Sequence, residues 1–224
     1  MPVSAKFTAV VALPGRRLLW PCGDPANNTP MTTTHLLYLH GFRSSPQSAK
    51  ARQMAAHVAQ HHPGVTFWCP QLPPSPREAM ALVARGVAAW PGAAMGVIGS
   101  SLGGFYASWV AQHKGCPSVL LNPAVHPARD LARYIGEQTA WHDPAERFYF
   151  RPEYIDELRA LDTAGLPPAA PELAIIAKGD EVLDWREMAA RYPQAQQIVQ
   201  EGGEHALANF SDYLPRVTAF LRLA

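Results

Sequence analysis

The chain has 224 residues, enough for one substantial hydrophobic core and, by length, for one domain. Nineteen Lys and Arg stand against eighteen Asp and Glu, a formal net charge of +1, which offers no basic footprint for nucleic acid and no polybasic surface for an anionic membrane. The three cysteines, Cys22, Cys69 and Cys116, are widely spaced and odd in number, which argues against a disulfide framework or a zinc cluster and points to free thiols in a reducing compartment, the cytoplasm.

The earliest apolar run, residues 8–13, is too short to span a bilayer. It is followed by Pro14-Gly-Arg-Arg17 and not by a small-residue cleavage site, so neither a signal peptide nor a membrane span is expected. Residues 21–30 cluster turn formers without periodicity, and residues 1–30 read as a loose N-terminal extension to a domain over 31–224. Met31 stands directly before the first convincing strand and is a candidate start of translation.

That strand, residues 36–40, ends in His40-Gly41-Phe42. Ser48 can cap a helix to about residue 60, with Ala49, Met54, Ala55 and Val58 on its apolar face. A strand over 65–69 stops at Pro70, and a helix over 77–90 closes at Pro91-Gly92. Strands and helices alternate, which predicts an α/β fold with a mainly parallel sheet and right-handed crossovers.

Met95-Gly-Val-Ile-Gly-Ser-Ser-Leu-Gly-Gly-Phe105 follows: a buried-strand pattern that ends in Gly-x-Ser-x-Gly and passes into a helical pattern. This is the layout of a nucleophile elbow with Ser101 at its tip. The tight strand-to-helix turn requires small residues two before and two after the serine, here Gly99 and Gly103. It also aims the Leu102 N–H at an attacked carbonyl, while the helix N-terminus favours the negative charge that develops there. Where such an elbow occurs, the loop after the earlier strand supplies a second oxyanion donor, and His40-Gly41 would place the Phe42 N–H in that role. Ser100 reads as a packing residue.

Residues 118–121 form the next strand, and the next one waits until 173–177. The interval is too long for a plain connection and carries helical patterns at 128–135 and 153–161. Trp141, Phe148, Tyr149 and Phe150 lie between them, so a small helical cap at about 126–170 is expected over the strand ends. Its aromatics either line an acyl-sized pocket or fasten the cap to the core.

The strand over 173–177 runs into Lys178-Gly-Asp-Glu-Val-Leu-Asp184, where the orienting acid of a triad belongs. Asp180 is best placed; Asp184 reads first as a helix cap, and Glu181 follows both. The last strand, 196–200, leads into Glu201-Gly-Gly-Glu-His205 and a C-terminal helix from about 210 to 223. His205 therefore sits where a general base reaches the elbow, in the chain order Ser, Asp, His. His57, His61, His62 and His113, on or beside helix ends, read as solvated surface. Serine needs a base near neutral pH, which His205 would provide while Asp180 fixes its tautomer; this chemistry calls for no metal and no organic cofactor.

Taken together, Tyr38-Leu-His-Gly-Phe-Arg-Ser-Ser-Pro46, Gly99-Ser-Ser-Leu-Gly-Gly-Phe-Tyr106, Leu121-Asn-Pro-Ala-Val125, Lys178-Gly-Asp-Glu-Val-Leu-Asp184 and Gly203-Glu-His205 resemble the YqiA/YcfP-like small bacterial esterases of the α/β-hydrolase fold. The resemblance spans about residues 35–220. It implies Ser101, Asp180 and His205 as the triad and hydrolysis of small-molecule carboxylic esters or acyl thioesters in the cytoplasm. His126 stands where the resemblance has arginine. Peptidase or C–C bond hydrolase chemistry uses the same triad, and a non-catalytic scaffold that binds a ligand or partner is the alternative from another class.

Overall fold

The structure is a computed structural model and describes residues 9–13, 16–20, 32–141, 143 and 145–224. In chain order its strands are β1 (Ala9–Leu13), β2 (Arg16–Trp20), β3 (His35–Leu39), β4 (Thr66–Trp68), β5 (Met95–Ser100), β6 (Ser118–Leu121), β7 (Gly136–Thr139), β8 (Arg147–Phe150), β9 (Glu172–Ala177) and β10 (Gln196–Gln200). The helices are α1 (Ala49–His61), α2 (Pro76–Gly86), α3 (Leu102–Lys114), α4 (Pro127–Asp130), α5 (Glu153–Ala160), α6 (Trp185–Arg191) and α7 (Leu214–Leu221).

Six strands form one sheet in the order β10-β9-β6-β5-β3-β4, and every pairing is parallel. A parallel sheet is covered on both faces by its crossover helices, so its central strands are apolar throughout. All of β5 and β6 is buried. Alternation along the strands then sorts side chains between two cores. Leu36 and Tyr38 of β3, with Leu173 and Ile175 of β9, pack against Met54 and Val58 of α1 and Val217 and Leu221 of α7. Leu37 and Leu39, with Ala174 and Ile176, pack on the other face against Met80 and Val83 of α2 and the length of α3.

The strand and helix positions follow the sequence pattern closely, with local differences at the ends. On α1 the residues turned inward are Ala51, Met54 and Val58, so Ala51 takes the place expected of Ala49, which is exposed. The spacing of three and four residues puts 51, 54 and 58 on one stripe, whereas 49 falls off it. Helix α2 begins one residue early because Ser75 caps it, its Oγ accepting from the Glu78 N–H at 3.2 Å with Pro76 as first helical residue. It ends at Gly86, four residues short of Trp90. The segment expected as a C-terminal helix from 210 divides into a 3₁₀ turn, Phe210–Tyr213, and α7.

The insertion between β6 and β9 contains α4, a 3₁₀ turn at Ala132–Tyr134 and α5, and adds between them an antiparallel hairpin, β7–β8. Near the N-terminus β1 and β2 pair antiparallel. The remaining residues of the expected extension, Cys22 included, lie outside the described residues, as do Met31 and His142. No helix among the described residues is long and apolar enough to cross a membrane.

Candidate active site

The carboxyl ends of β3, β5, β6, β9 and β10 open on one edge of the sheet, and β3, the first of that sheet's strands in chain order, lies between β4 and β5. Loops leaving β3 and β5 therefore diverge to opposite sides, the kind of switch point at which open α/β sheets hold ligands. Ser101 sits there. Its φ of +56° and ψ of −122° lie in a sparsely populated region for a side-chain-bearing residue, at a cost of order 1–3 kcal/mol. The turn survives because its backbone is tied down on both sides: the Ser101 N–H donates to Leu121 O at 3.0 Å, and Ser101 O accepts from Gly104 N at 2.8 Å and Ala124 N at 2.9 Å. Gly99 and Gly103 are required by close approach. A Cβ on Gly103 would stand 2.0 Å from Leu39 O, and one on Gly99 would stand 2.0 Å from Gly103 O.

The three residues expected to share a site come together from three separate loops. His205 Nε2 lies 3.0 Å from Ser101 Oγ, and its Nδ1 lies 2.7 Å from Asp180 Oδ2. The Asp180 side chain is fully buried, and its other oxygen accepts from the N–H groups of Val182 and Leu183, both at 2.8 Å. Those bonds orient Asp180 toward the histidine and keep its tight turn closed. Of the other acids, Asp184 caps α6 by accepting from the Arg186 N–H at 2.8 Å. Glu181 accepts from the His205 backbone N–H at 3.0 Å.

Gly41 and His40 hold the loop after β3 against the elbow. The site a Gly41 Cβ would take is 3.1 Å from Ser101 Cβ, so any larger residue would crowd Ser101. His40 is buried; its Nε2 accepts from the Leu72 N–H at 3.2 Å, which fixes the proton on Nδ1, and Nδ1 donates to Gly41 O at 3.0 Å. Leu102 is the first residue of α3, so its N–H has no carbonyl within the helix to bond. It lines the same cavity as Phe42, Ser101 and His205.

That cavity measures about 150 Å³ and is walled chiefly by Phe42, Leu131, Tyr134, Trp141, Val182 and Leu183. A second, of about 170 Å³, lies across Phe42 and Leu102 against Leu72, Tyr106 and Phe148. The Phe42 ring is the hinge pin between them: it packs edge-on against Phe148 and Phe150 at 6.0 and 5.2 Å and tilts against Tyr134 at 5.6 Å. Phe150 is buried in the core, so it fastens the cap; Tyr134 and Trp141 face the cavity instead. Arg43, at φ +60°, latches the same loop to the hairpin: its Nε donates to Thr139 O at 2.6 Å, its own carbonyl accepts from the Trp141 N–H at 2.7 Å, and its guanidinium stacks on the Trp141 ring at 4.2 Å. The Arg43 latch depends on a contact between residues about 100 apart, and the only advance sign was the aromatic density of the cap.

His113 is half-buried, its ring 4.1 Å from that of Trp109, and burial lowers its pKa, so it is not the solvated residue expected from its place near a helix end. Among the described residues no three His, Cys, Asp or Glu side chains are arranged to hold a metal ion.

The sequence profile of the uncharacterised protein family UPF0227 matches residues 35–222. The chain belongs to that family. Among solved structures, a candidate hydrolase from Agrobacterium vitis S4 superposes with a TM-score of 0.68 at 15% identity, covering 96% of this chain and 98% of the other. A structure described under LipS and LipT, two metagenome-derived lipolytic enzymes, gives 0.66 at 18% identity over 85% of this chain and 94% of the other. The esterase domain of a Rhodothermus marinus protein gives 0.63 at 18% over 96% and 97%. At these identities the likeness is one of fold, and the fold is that of the α/β hydrolases.

Proposed function

We propose that the protein is a serine hydrolase that cleaves carboxylic esters or acyl thioesters of small molecules, with Ser101 as nucleophile, His205 as base and Asp180 as its orienting acid. The observation that carries this reading is the unbroken chain from Ser101 Oγ through His205 to the buried Asp180 carboxylate. The neighbouring folds of lipolytic enzymes and esterases support the same reaction class.

In the reaction, His205 Nε2 takes the Ser101 proton as Oγ attacks the acyl carbon, and Asp180 stabilises the resulting imidazolium. The Phe42 and Leu102 N–H groups donate to the oxyanion, each contributing on the order of 3 kcal/mol to the barrier reduction. Collapse of the tetrahedral intermediate breaks the bond to the alcohol or thiol, which leaves with the proton held by His205. Water, deprotonated by the same histidine, then releases the acid and restores Ser101 Oγ–H.

A cavity of about 150 Å³ is close to the size that holds a benzene ring. Acyl groups of roughly that bulk fit inside, and longer chains run out past Trp141 and Val182, which are exposed at its mouth. Cys69 and Cys116 are free thiols, which supports a reducing compartment, the cytoplasm, as the place of action. The test is direct. A fluorophosphonate probe should label Ser101, and Ser101→Ala should lose both labelling and p-nitrophenyl ester turnover while keeping its circular dichroism. Unchanged turnover in that variant would favour a non-catalytic scaffold.

A further inference from the structure

The loop that presents His205 has no regular structure, and two of its residues, Gly202 and Gly203, have φ of +65° and +78°. Such a loop has wide backbone freedom, yet its histidine has to satisfy a 3.0 Å and a 2.7 Å contact at once. The restraint comes from below. Asn122, at the end of β6, donates through Nδ2 to Glu204 O at 3.0 Å and to His205 O at 3.2 Å. Its Oδ1 accepts from the N–H of Ala177, the last residue of β9, at 2.8 Å. One amide thus joins the strand end that leads to Asp180 with the backbone that carries His205.

Asn122 is 1% exposed and both Nδ2 hydrogens are spent on carbonyls. A flipped amide would set its oxygen against two carbonyl oxygens and its NH₂ against an N–H, so the orientation is fixed by its partners. The backbone at Asn122 has φ +40°, a conformation asparagine tolerates far better than most residues. From the other side Lys50 of α1 donates through Nζ to Ala206 O, the carbonyl following that of His205.

We propose that Asn122, assisted by Lys50, is a positioning residue that fixes the His205 backbone so that the imidazole reaches Ser101 and Asp180 together. The proposal rests on the reading of those three residues as an acyl-transfer triad. Neither Asn122 nor Lys50 touches the reacting atoms; each acts through the loop. A displacement of about 1 Å in a base of this kind costs about 100-fold in rate.

Two substitutions separate position from packing. Asn122→Asp keeps the size, the acceptor for Ala177 N–H and the tolerance for positive φ, but turns an oxygen toward two carbonyls. Asn122→Gly keeps the backbone conformation and removes the side chain. Lys50→Met removes the second tether at an unrelated site and serves if the Asn122 variants fail to fold. Each is compared with the wild type and with Ser101→Ala for fluorophosphonate labelling rate, kcat and KM on a p-nitrophenyl ester, the pH dependence of kcat/KM, and thermal denaturation.

For Asn122→Asp and Asn122→Gly we expect kcat and the labelling rate to fall together by about 100-fold, with KM changed little and the acid limb of the pH profile displaced. Lys50→Met should show a smaller change of the same kind. Lower thermal stability with kcat and the acid limb unchanged, in the Asn122 variants or, should they not fold, in Lys50→Met, overturns the proposal. Failure of the underlying reading shows separately, as turnover retained by Ser101→Ala.

Discussion

Ser101 holds a strained backbone because its neighbours leave it no alternative, and the two serines of Gly99-Ser-Ser-Leu-Gly103 are unequal for that reason. Ser101 opens on the cavity, while Ser100 is buried as the last residue of β5. Ser100→Ala should therefore leave turnover near that of the wild type in the same p-nitrophenyl assay that Ser101→Ala abolishes. Gly103→Ala should be severe. Its Cβ would meet the backbone oxygens of Leu39 and His40 at 2.0 and 2.7 Å, and backbone cannot swing aside as a side chain can. We expect a loss of about 3 kcal/mol or more in urea denaturation, with failure to accumulate folded protein as the extreme. Sequence motifs exposed Ser101, Gly99 and Gly103 because the sterics of a tight strand-to-helix turn are local. Asn122 stood in the Leu121-Asn-Pro-Ala-Val125 motif without a role and Lys50 gave no sign, since the carbonyls to which they donate are about 80 and 160 residues away, and a backbone carbonyl has no sequence signature.

Among the elements, the β7–β8 hairpin departs most from the expected helical cap. Its strands are four residues each and their connection has no two-residue Asn-Gly or Asp-Gly turn, so periodicity offered little to read. What holds the hairpin in place is aromatic packing on Phe42 and the Arg43 latch, both supplied by the loop after β3. The cap and the loop after β3 are therefore one mechanical unit. The two alternatives for the cap aromatics divide by residue. Phe150→Ala, at 1% exposure, should cost about 3–5 kcal/mol in denaturant unfolding. Trp141→Ala, at 72% exposure, should change stability by about 0.5 kcal/mol or less. Its effect should fall on KM, rising more for a hexanoyl than for an acetyl p-nitrophenyl ester, because its ring walls the cavity mouth.

At the scale of the whole molecule, burial sets the response to pH. Desolvation pushes the Cys69 and Cys116 thiols up to about 12, against 9.0 for an ordinary thiol. Between those values the folded protein binds more protons than the unfolded chain, so stability falls as pH rises above about 9, on the order of 1 kcal/mol per pH unit for each thiol ionised on unfolding. Lys50 acts in the opposite sense. Burial lowers it to about 8 from 10.5, so the folded state binds fewer protons between those values and gains stability as pH rises through them. Burial lowers Lys114 as well and pushes Tyr192 up to about 12 from 10.0. The urea midpoint should rise slightly from pH 8 to 9 and decline beyond it, where the two thiols, joined by Tyr192 above about pH 10, outweigh the two amines; a midpoint that climbs steadily to pH 10.5 would contradict this. In the same buffers, iodoacetamide at pH 8.5 should leave Cys69 and Cys116 unmodified in the folded protein and alkylate both in urea.

The order of strands and helices, the parallel sheet and the elbow were legible in the sequence because each depends on short-range periodicity or on residues a few positions apart. Membership of UPF0227 agrees with the resemblance carried by the same motifs. The tertiary structure alone decided how Ser101, His205 and Asp180 meet, which acid faces the histidine, and what secures the loop that carries it. Those are contacts between strand ends brought side by side by the β10-β9-β6-β5-β3-β4 order, and that order is an outcome of packing two apolar faces at once, not of any single stretch of chain.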